Sequence, residues 1–207
     1  HDVLEILEKG VQEQGIEINA DSSALPSLFL PGARKAKPKT PRKPARPVNP
    51  AEYVGAIWNP SPNFFLRGLT HPRFIVIHTT EGSFASAISW FRNPASHSSA
   101  HYLVRSRDGA VVQLVSERNS AWHARCWNSE SLGIEHEAFS GDGSGLTPEL
   151  YQASASLVRA LASKYGIPRD RNHIIGHDFW EDRRFPASGL ENCNTHTDPG
   201  AHWDWAG

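Results

Sequence analysis

Methionine is absent from this chain of 207 residues, cysteine occurs only twice, and long apolar runs are missing. No stretch approaches the roughly 18 to 20 apolar residues that a membrane-spanning helix needs, and no signal peptide is visible at the start. The sequence therefore predicts no membrane span. The chain begins at His1, and we expect it to be a processed product from which a leader has been removed.

The two cysteines, Cys126 and Cys193, have no spacing typical of a metal site, and one pair is too few to define a disulfide framework. Both lie in loop-like stretches. Two interpretations stay open, namely free buried thiols or a single bridge formed in an oxidising compartment.

A strong excess of either charge is also lacking, because the net charge is −1 with neutral histidines. Residues 1–50 carry eight Lys/Arg against six Asp/Glu, whereas residues 51–207 carry thirteen against sixteen. The basic tail has no interleaved aromatic residues and the remainder is mildly acidic, so the sequence predicts no nucleic-acid partner. With 39% hydrophobic residues, the chain can bury one good core plus an extension.

Three regions are predicted along the chain. Residues 1–30 form an N-terminal segment, in which residues 3–12 have the apolar spacing of a short amphipathic helix. Residues 31–52 form a linker, because repeated proline and basic residues disfavour both a helix and a core. We favour a solvated spacer for this linker over an electrostatic tether to an anionic wall polymer or membrane surface. Residues 53–207 form the folded domain.

The domain alternates between patterns typical of strands and of helices. A β-branched run precedes a glycine break and an apolar helical stripe, and Asp108-Gly109 is a hairpin-type turn. One helix is clearly delimited: Thr147 is its N-terminal cap, Pro148 its first residue, and Gly166 marks its end. The pattern predicts an α/β domain with a mixed sheet flanked by helices. Strands are predicted at 73–78, 101–106, 111–115, 132–138 and 174–175, and helices from Phe84 to before Pro94 and from Thr147 to Gly166.

Four distant segments each present a metal-type or acid/base residue that ordinary core packing does not require. They contain His78, Glu135, His177 and Asp198. Taken singly, a histidine at a strand end is more often structural, and an aspartate before Pro-Gly is commonly a turn residue. Together, two histidines and an aspartate have the composition of a Zn²⁺ site, with the glutamate left as proton carrier.

Six motifs occur in one order along the domain: Phe-Ile-Val-Ile-His-Thr-Thr-Glu-Gly, Ser-Ala-His-Tyr-Leu-Val, Ala-Trp-His-Ala, Leu-Gly-Ile-Glu-His-Glu, Ile-Ile-Gly-His-Asp and Thr-Asp-Pro-Gly. This ordered set closely resembles the zinc-dependent N-acetylmuramoyl-L-alanine amidases of the type-2 amidase family, relatives of the peptidoglycan recognition proteins and phage lysozyme-type amidases. The resemblance extends from about residue 58 to residue 205 and leaves residues 1–50 outside.

The resemblance implies that His78, His177 and Asp198 bind Zn²⁺, and three protein ligands leave the fourth position open, as expected of a catalytic zinc. It implies that Glu135 moves the proton during hydrolysis. Many relatives carry a lysine where this chain has His196, which we expect to donate a hydrogen bond to the developing oxyanion.

Some relatives have a tyrosine where this chain has Ala100, and its absence makes Glu135 the expected base. Glu137 is the nearest competitor for that role. The other histidines are interpreted as structural, and His101 is the least certain because it begins a strand beside the site. They are His97, His101, His136, His173 and His202.

The substrate cleft of the family is lined by positions that correspond to Thr79, Thr80, Trp122, His123 and Asn128. Aromatic faces suit sugar rings, and an amide suits a peptide backbone. For the last three, ordinary core or loop packing remains the alternative interpretation.

The resemblance therefore implies an enzyme of the cell envelope that hydrolyses the amide between N-acetylmuramic acid and L-alanine. Peptidoglycan or a muropeptide is the expected partner, and we expect a monomer. A non-catalytic peptidoglycan-binding module of the same fold is the competing function.

Overall fold

The structure is a computed structural model, and it describes residues 50–68, 71–178 and 196–206. The predicted N-terminal helix and nearly all of the predicted linker lie outside these residues, so the division into three regions stays a prediction. The described elements are β1 (Ile57–Trp58), β2 (Phe64–Leu66), β3 (Phe74–Thr79), α1 (Phe84–Arg92), β4 (Tyr102–Val104), β5 (Val111–Gln113), β6 (Asn119–Ala121), β7 (Ser131–His136), α2 (Pro148–Tyr165) and β8 (Ile174–Gly176).

Six strands form a mixed sheet in the order β1-β5-β4-β7-β3-β8. Strands β4 and β5 pair antiparallel, and the other neighbouring pairs in this sheet are parallel. The turn between β4 and β5 contains Gly109 at a φ of +65°, and a Cβ there would lie 2.7 Å from the carbonyl oxygen of Glu149. Both the predicted hairpin and the predicted mixed sheet are confirmed.

Strands β2 and β6 form a separate two-stranded antiparallel sheet that the sequence did not predict. The guanidinium of buried Arg67 connects this sheet to β7. It donates to the carbonyl oxygens of Ser129 at 2.6 Å, Asn119 at 2.8 Å and Ser131 at 2.9 Å. Because a buried arginine needs partners for its donors, these bonds fix the loop between β6 and β7.

Side chains of the large sheet alternate between two helical layers. On one face Ile75 and Ile77 of β3 belong to a core cluster that includes Leu157 of α2. On the other face, Leu103 of β4 packs in a cluster with Phe91 of α1. The predicted arrangement of a sheet flanked by helices is confirmed.

The second helix begins and ends where its sequence signals indicate. The Thr147 hydroxyl accepts from the backbone N–H of Leu150, Pro148 occupies the first position, and Gly166 caps the end at a φ of +67°. The first helix likewise begins at Phe84 and ends before Pro94. Neither described helix is long and apolar enough to cross a membrane.

The parallel strands β7, β3 and β8 are neighbours, so their carboxyl ends meet at one edge of the sheet. His78 and Glu135 are direct partners in the register of β3 and β7. His177 follows β8 immediately. The topology therefore gathers at one edge three of the residues that the sequence singled out.

Candidate active site

His78, His177 and Asp198 form a buried cluster at this edge. One ligand atom from each lies within 4.8 Å of the other two. The Nδ1 atoms of the histidines lie 3.0 Å and 3.1 Å from the two carboxylate oxygens of Asp198. In tetrahedral zinc sites with bonds of about 2.0 Å, ligand atoms lie about 3.3 Å apart. The donor set is one that Zn²⁺ prefers, and its three atoms are close enough for one ion to draw them together.

Electrostatics favour an ionised carboxylate within the cluster. Burial raises the pKa of Asp198, but the hydrogen bonds from His177 and His78 outweigh it and hold that pKa below its usual range. Burial, followed by the proximity of His78, lowers the pKa of His177. A neutral imidazole beside a carboxylate is the state that a metal cation requires.

Glu135 lies beside the cluster on β7 and is 9% exposed. Its Oε2 atom is buried and has no hydrogen-bond partner among the described residues. Burial, then the charges of Asp198 and Glu81, raise the pKa of Glu135 well above its ordinary value. A buried carboxyl group with an open oxygen is costly for folding and is typical of a functional position.

Two other glutamates near Glu135 are held by backbone groups. Glu137 accepts from the N–H groups of Phe84 and Ser106, so both of its oxygens are engaged in joining β7 to α1 and to the β4–β5 turn. It also lines a neighbouring groove of about 620 Å³. Glu81 has a positive φ of 50° and accepts from the N–H of Ser140.

His196 lies over His177 at the mouth of the cluster. The two rings stack with centroids 4.1 Å apart, and Nδ1 of His196 lies 3.6 Å from Oδ1 of Asp198. About half of its side chain, 52%, is exposed. Burial, then the neighbouring His177, lowers the pKa of His196. The structure thus brings it to the cluster of His78, His177 and Asp198 while leaving it open to solvent.

The positions expected in the substrate cleft differ in their surroundings. Thr79 is buried and donates to Glu81, whereas Thr80 is partly exposed and donates to the carbonyl of Gly82. Trp122 is partly exposed, with its ring stacked on His97 at 6.2 Å. The structure does not test whether these side chains contact substrate, and that remains a prediction.

Asn128 and His123 are bonded within the protein. The Oδ1 atom of buried Asn128 accepts from the N–H groups of His123 and Ala124. The ring of His123 uses both nitrogens, with Nδ1 3.0 Å from Nε2 of His78 and Nε2 3.1 Å from Oγ of Ser131. Burial, then His78, lowers the pKa of His123 well below its ordinary value.

Two of the histidines interpreted as structural are fully bonded in the core. His101 accepts from the N–H of Gly133 through Nδ1, and its Nε2 lies 3.1 Å from the carbonyl oxygen of Asn119. His136 connects the carbonyl of His78 to the hydroxyl of Ser154 on α2. These contacts agree with a structural role.

The cysteine question is partly answered, because Cys126 is disulfide-bonded. Cys193 lies outside the described residues.

The chain also matches known proteins. A family profile described as N-acetylmuramoyl-L-alanine amidase matches residues 68–201. A curated protein of Achromobacter lyticus, "N-acetylmuramoyl-L-alanine amidase A", is 34% identical over 165 residues, which are 75% of this chain and 92% of that protein. The chain belongs to the N-acetylmuramoyl-L-alanine amidase family.

Solved structures agree with this membership. A selenomethionine derivative of AmpD superposes with a TM-score of 0.58 at 28% identity, covering 74% of this chain and 92% of AmpD. AmiD from E. coli, solved with the substrate anhydro-N-acetylmuramic acid-L-Ala-D-gamma-Glu-L-Lys, gives a TM-score of 0.51 at 23% identity, covering 68% of this chain and 56% of AmiD. The second likeness concerns the fold alone. The resemblance predicted from the six motifs is confirmed.

Three residues of this amidase-family site were missed by the sequence reasoning. They are Glu81, whose charge acts on Glu135, Ser131, which bonds the ring of His123, and Gly133, which leaves space for that ring. A glycine inside an apolar strand often marks a close approach by another group, so Gly133 carried a usable signal. The other two carried none, because their partners are distant in sequence.

Proposed function

We propose that this chain is a zinc-dependent amidase that hydrolyses the bond between the lactyl group of N-acetylmuramic acid and L-alanine in peptidoglycan. The observation that carries the proposal is the buried carboxyl group of Glu135 with its open oxygen, adjacent to the cluster of His78, His177 and Asp198. The printed names of the relatives support the same reaction, since one is called an N-acetylmuramoyl-L-alanine amidase and another was solved with a muropeptide.

In this proposal His78 and His177 would hold zinc through Nδ1, and Asp198 would hold it through a carboxylate oxygen. Zinc in a site with three protein ligands supplies Lewis-acid chemistry to the reacting carbonyl and water. Both histidines are buried and bonded, so the donors are held in place before a metal binds. Because the ligand side chains are already held in place, binding the ion costs less conformational entropy.

Glu135 acts as general base and then as general acid. Its carboxylate removes a proton from the attacking water as the oxygen bonds to the lactyl carbonyl carbon. It then returns that proton to the nitrogen of L-alanine as the amide C–N bond breaks, which gives a lactyl carboxylic acid and a free amine. The proton of the acid then passes to the amine, so that a carboxylate and an ammonium group are released. A raised pKa suits the second step, because a carboxyl group of ordinary pKa donates protons poorly near neutral pH.

His196 stabilises the oxyanion that forms on the reacting carbonyl. Its ring lies next to the ligand His177 and is half exposed, so it can reach a substrate in the cleft. Because its pKa is lowered, it donates as a neutral N–H group near pH 7. It therefore supplies a weaker but less solvated donor than the lysine of many relatives.

The proposed substrate places the activity at the cell envelope. The candidate site carries half-exposed His196, and Trp122, which precedes His123 in the chain, is partly exposed. An exposed aromatic ring suits the apolar face of a sugar ring. The monomeric state stays a prediction, as does the solvated spacer that we favour for the basic linker over a contact with anionic wall polymer.

The proposal is tested by incubating the purified chain with peptidoglycan sacculi and identifying soluble products by mass spectrometry. Stem peptides that begin with a free L-alanine amine are expected, and a chelator should abolish their release until zinc is added back. Binding of both zinc and sacculi without any release of peptides would instead favour the non-catalytic recognition module.

A further inference from the structure

Five histidine rings form a continuous row through the site. Successive centroids are separated by 5.6 Å between His101 and His123, 5.2 Å between His123 and His78, 4.4 Å between His78 and His177, and 4.1 Å between His177 and His196. The proposed function uses the last three. His123 is bonded directly to the proposed ligand His78, and its role is open.

The protons in this row can be assigned from one hydroxyl group. Ser131 Oγ lies 2.6 Å from the carbonyl oxygen of Trp127, which only accepts, so the single hydroxyl proton of Ser131 is used there. The same Oγ lies 3.1 Å from Nε2 of His123. It must therefore accept at that contact, and Nε2 of His123 carries a proton.

The other nitrogen of His123 is then the acceptor. A second proton on this ring would add a positive charge next to the His101 ring, whose Nε2 lies 3.1 Å from the guanidinium of Arg67. With Nδ1 of His123 unprotonated, the contact of 3.0 Å to His78 requires the proton on Nε2 of His78. The nitrogen left for a metal is then Nδ1 of His78, which faces Asp198 at 3.0 Å, and a bound cation would displace the proton that this nitrogen donates to the carboxylate.

We propose that His123 is a positioning residue that holds His78 in the tautomer and ring orientation needed for metal binding, in place of the substrate contact that the resemblance suggests. This inference rests on the proposed zinc site. Metal-binding histidines commonly donate from their other ring nitrogen to an acceptor, but that acceptor is usually a carboxylate, a carbonyl or water. Here the imidazole of His123 has this role, and the Ser131 hydroxyl fixes the tautomer of His123.

Gly133 provides the space for this arrangement. It lies on β7 beneath the ring, and a Cβ at this position would come within 2.5 Å of Cγ and Nδ1 of His123. Any larger residue would displace the ring that bonds to His78. The glycine in the Leu-Gly-Ile-Glu motif is thereby explained by close packing rather than by a turn.

The first test needs no substitution. Long-range proton–nitrogen NMR spectra of the full chain loaded with zinc should show His123 protonated on Nε2 and unprotonated on Nδ1. They should show His78 protonated on Nε2 as well. A proton on Nδ1 of His123 would overturn the proposal, because that nitrogen could then not accept from His78.

The second test measures the zinc dissociation constant by competition with a chromophoric chelator. His123→Phe keeps the ring volume but removes both nitrogens, and should weaken zinc binding by about 10- to 100-fold. His123→Asn retains an acceptor near the position of Nδ1 and should restore most of the affinity. Gly133→Ala should weaken binding in the same direction.

His71→Phe is the matched control, since His71 is an exposed histidine outside the site. Equal zinc affinity in His123→Phe and His71→Phe would overturn the positioning role while leaving the proposed amidase intact, because peptide release from sacculi is measured separately. Failure of the unsubstituted chain to bind zinc would overturn both proposals. Thermal unfolding of the chelated variants checks that each one is folded.

Discussion

The environment of Glu135 distinguishes it from the other glutamates of the site. Glu137 has both oxygens bonded to backbone N–H groups, and Glu81 accepts from a threonine hydroxyl and a backbone N–H. Glu135 alone of these three has a buried oxygen without a partner. The structure therefore favours Glu135 over its competitor Glu137 as the group that exchanges a proton with substrate.

Glu135→Gln should reduce turnover by about 10²- to 10⁴-fold, the usual contribution of a general acid–base group. Zinc content should be unchanged, because the three proposed ligands are intact. The measurement is kcat on a soluble muropeptide together with bound zinc per chain. Glu130→Gln, which removes a partly exposed partner of Arg73, is the control and should keep full turnover. Full activity in Glu135→Gln would refute the assigned base.

His101 should make folding stability depend on pH. Burial, then the charge of Arg67, lowers the pKa of His101 from 6.5 to about 3. Between these values the unfolded chain binds the extra proton, so the free energy of unfolding should fall as the pH drops from about 6.5 towards 3. Above pH 6.5 this contribution is fully retained.

The measurement is chemical denaturation in chelator at several pH values. His101→Gln removes the titrating group, and its free energy of unfolding should fall less steeply over the same window. Parallel curves for both proteins would show that His101 does not titrate in this range. The hydrogen bond from Gly133 adds a reason for the low pKa of His101. Once Nδ1 of His101 is protonated, it can no longer accept from the N–H of Gly133.

The packing of α2 against the sheet stabilises the scaffold on the face opposite Glu135. Leu157 is fully buried in the core cluster under the helix, and His136 bonds Ser154 from the neighbouring strand. These contacts hold β7 without contributing side chains to the proposed metal site. Stability and chemistry can therefore be perturbed separately.

Leu157→Ala should lower the free energy of unfolding by about 2 to 5 kcal/mol, as for other large-to-small substitutions in cores. Zinc affinity of the folded chain should change little. Arg159→Ala, an exposed substitution on the same helix, should stay within about 0.5 kcal/mol of the unsubstituted chain. Denaturant titration of both variants provides the measurement, and a loss below 1 kcal/mol in Leu157→Ala would contradict the packing described here.

Sequence patterns predicted the elements that are long or clearly delimited. Thr147 and Gly166 delimit α2, and the β-branched run before His78 indicated β3. Strands β2 and β6 were missed because each has three residues, with exposed apolar side chains in one and mostly polar residues in the other. Three residues are too few to establish a period.

The candidate site was predictable only where its residues lie in recognisable sequence motifs. The ligand set and Glu135 lie in motifs that resemble a known family, and the parallel strands bring them together. The bond between His123 and His78 could not be predicted, because it joins residues 45 positions apart through a loop without periodic structure. Only the folded chain shows that Ser131 and Gly133 hold that ring.

In the whole molecule, the proposed metal connects segments that the backbone joins only loosely. His78 is the penultimate residue of β3, His177 follows β8, and Asp198 lies in the segment 196–206, after residues outside the described part. An ion bound to all three would favour the folded state alone. Stability should therefore depend on zinc.

Zinc at 100 times its dissociation constant should raise the free energy of unfolding by about 2.7 kcal/mol. A thermal scan with zinc and with chelator measures this as a shift of the unfolding temperature. Asp198→Ala removes one ligand and should abolish the shift, whereas Asp204→Ala, an exposed residue of the same segment, should retain it. An equal shift in both variants would indicate that zinc binds elsewhere.

The most direct measurement follows peptide release while zinc is titrated into the chelated chain. The rate of release of stem peptides with a free L-alanine amine should rise with bound zinc and reach a plateau at one zinc per chain, and Asp198→Ala should show no rise. Release that proceeds at full rate without bound zinc would contradict the proposed metal site and the mechanism built on it.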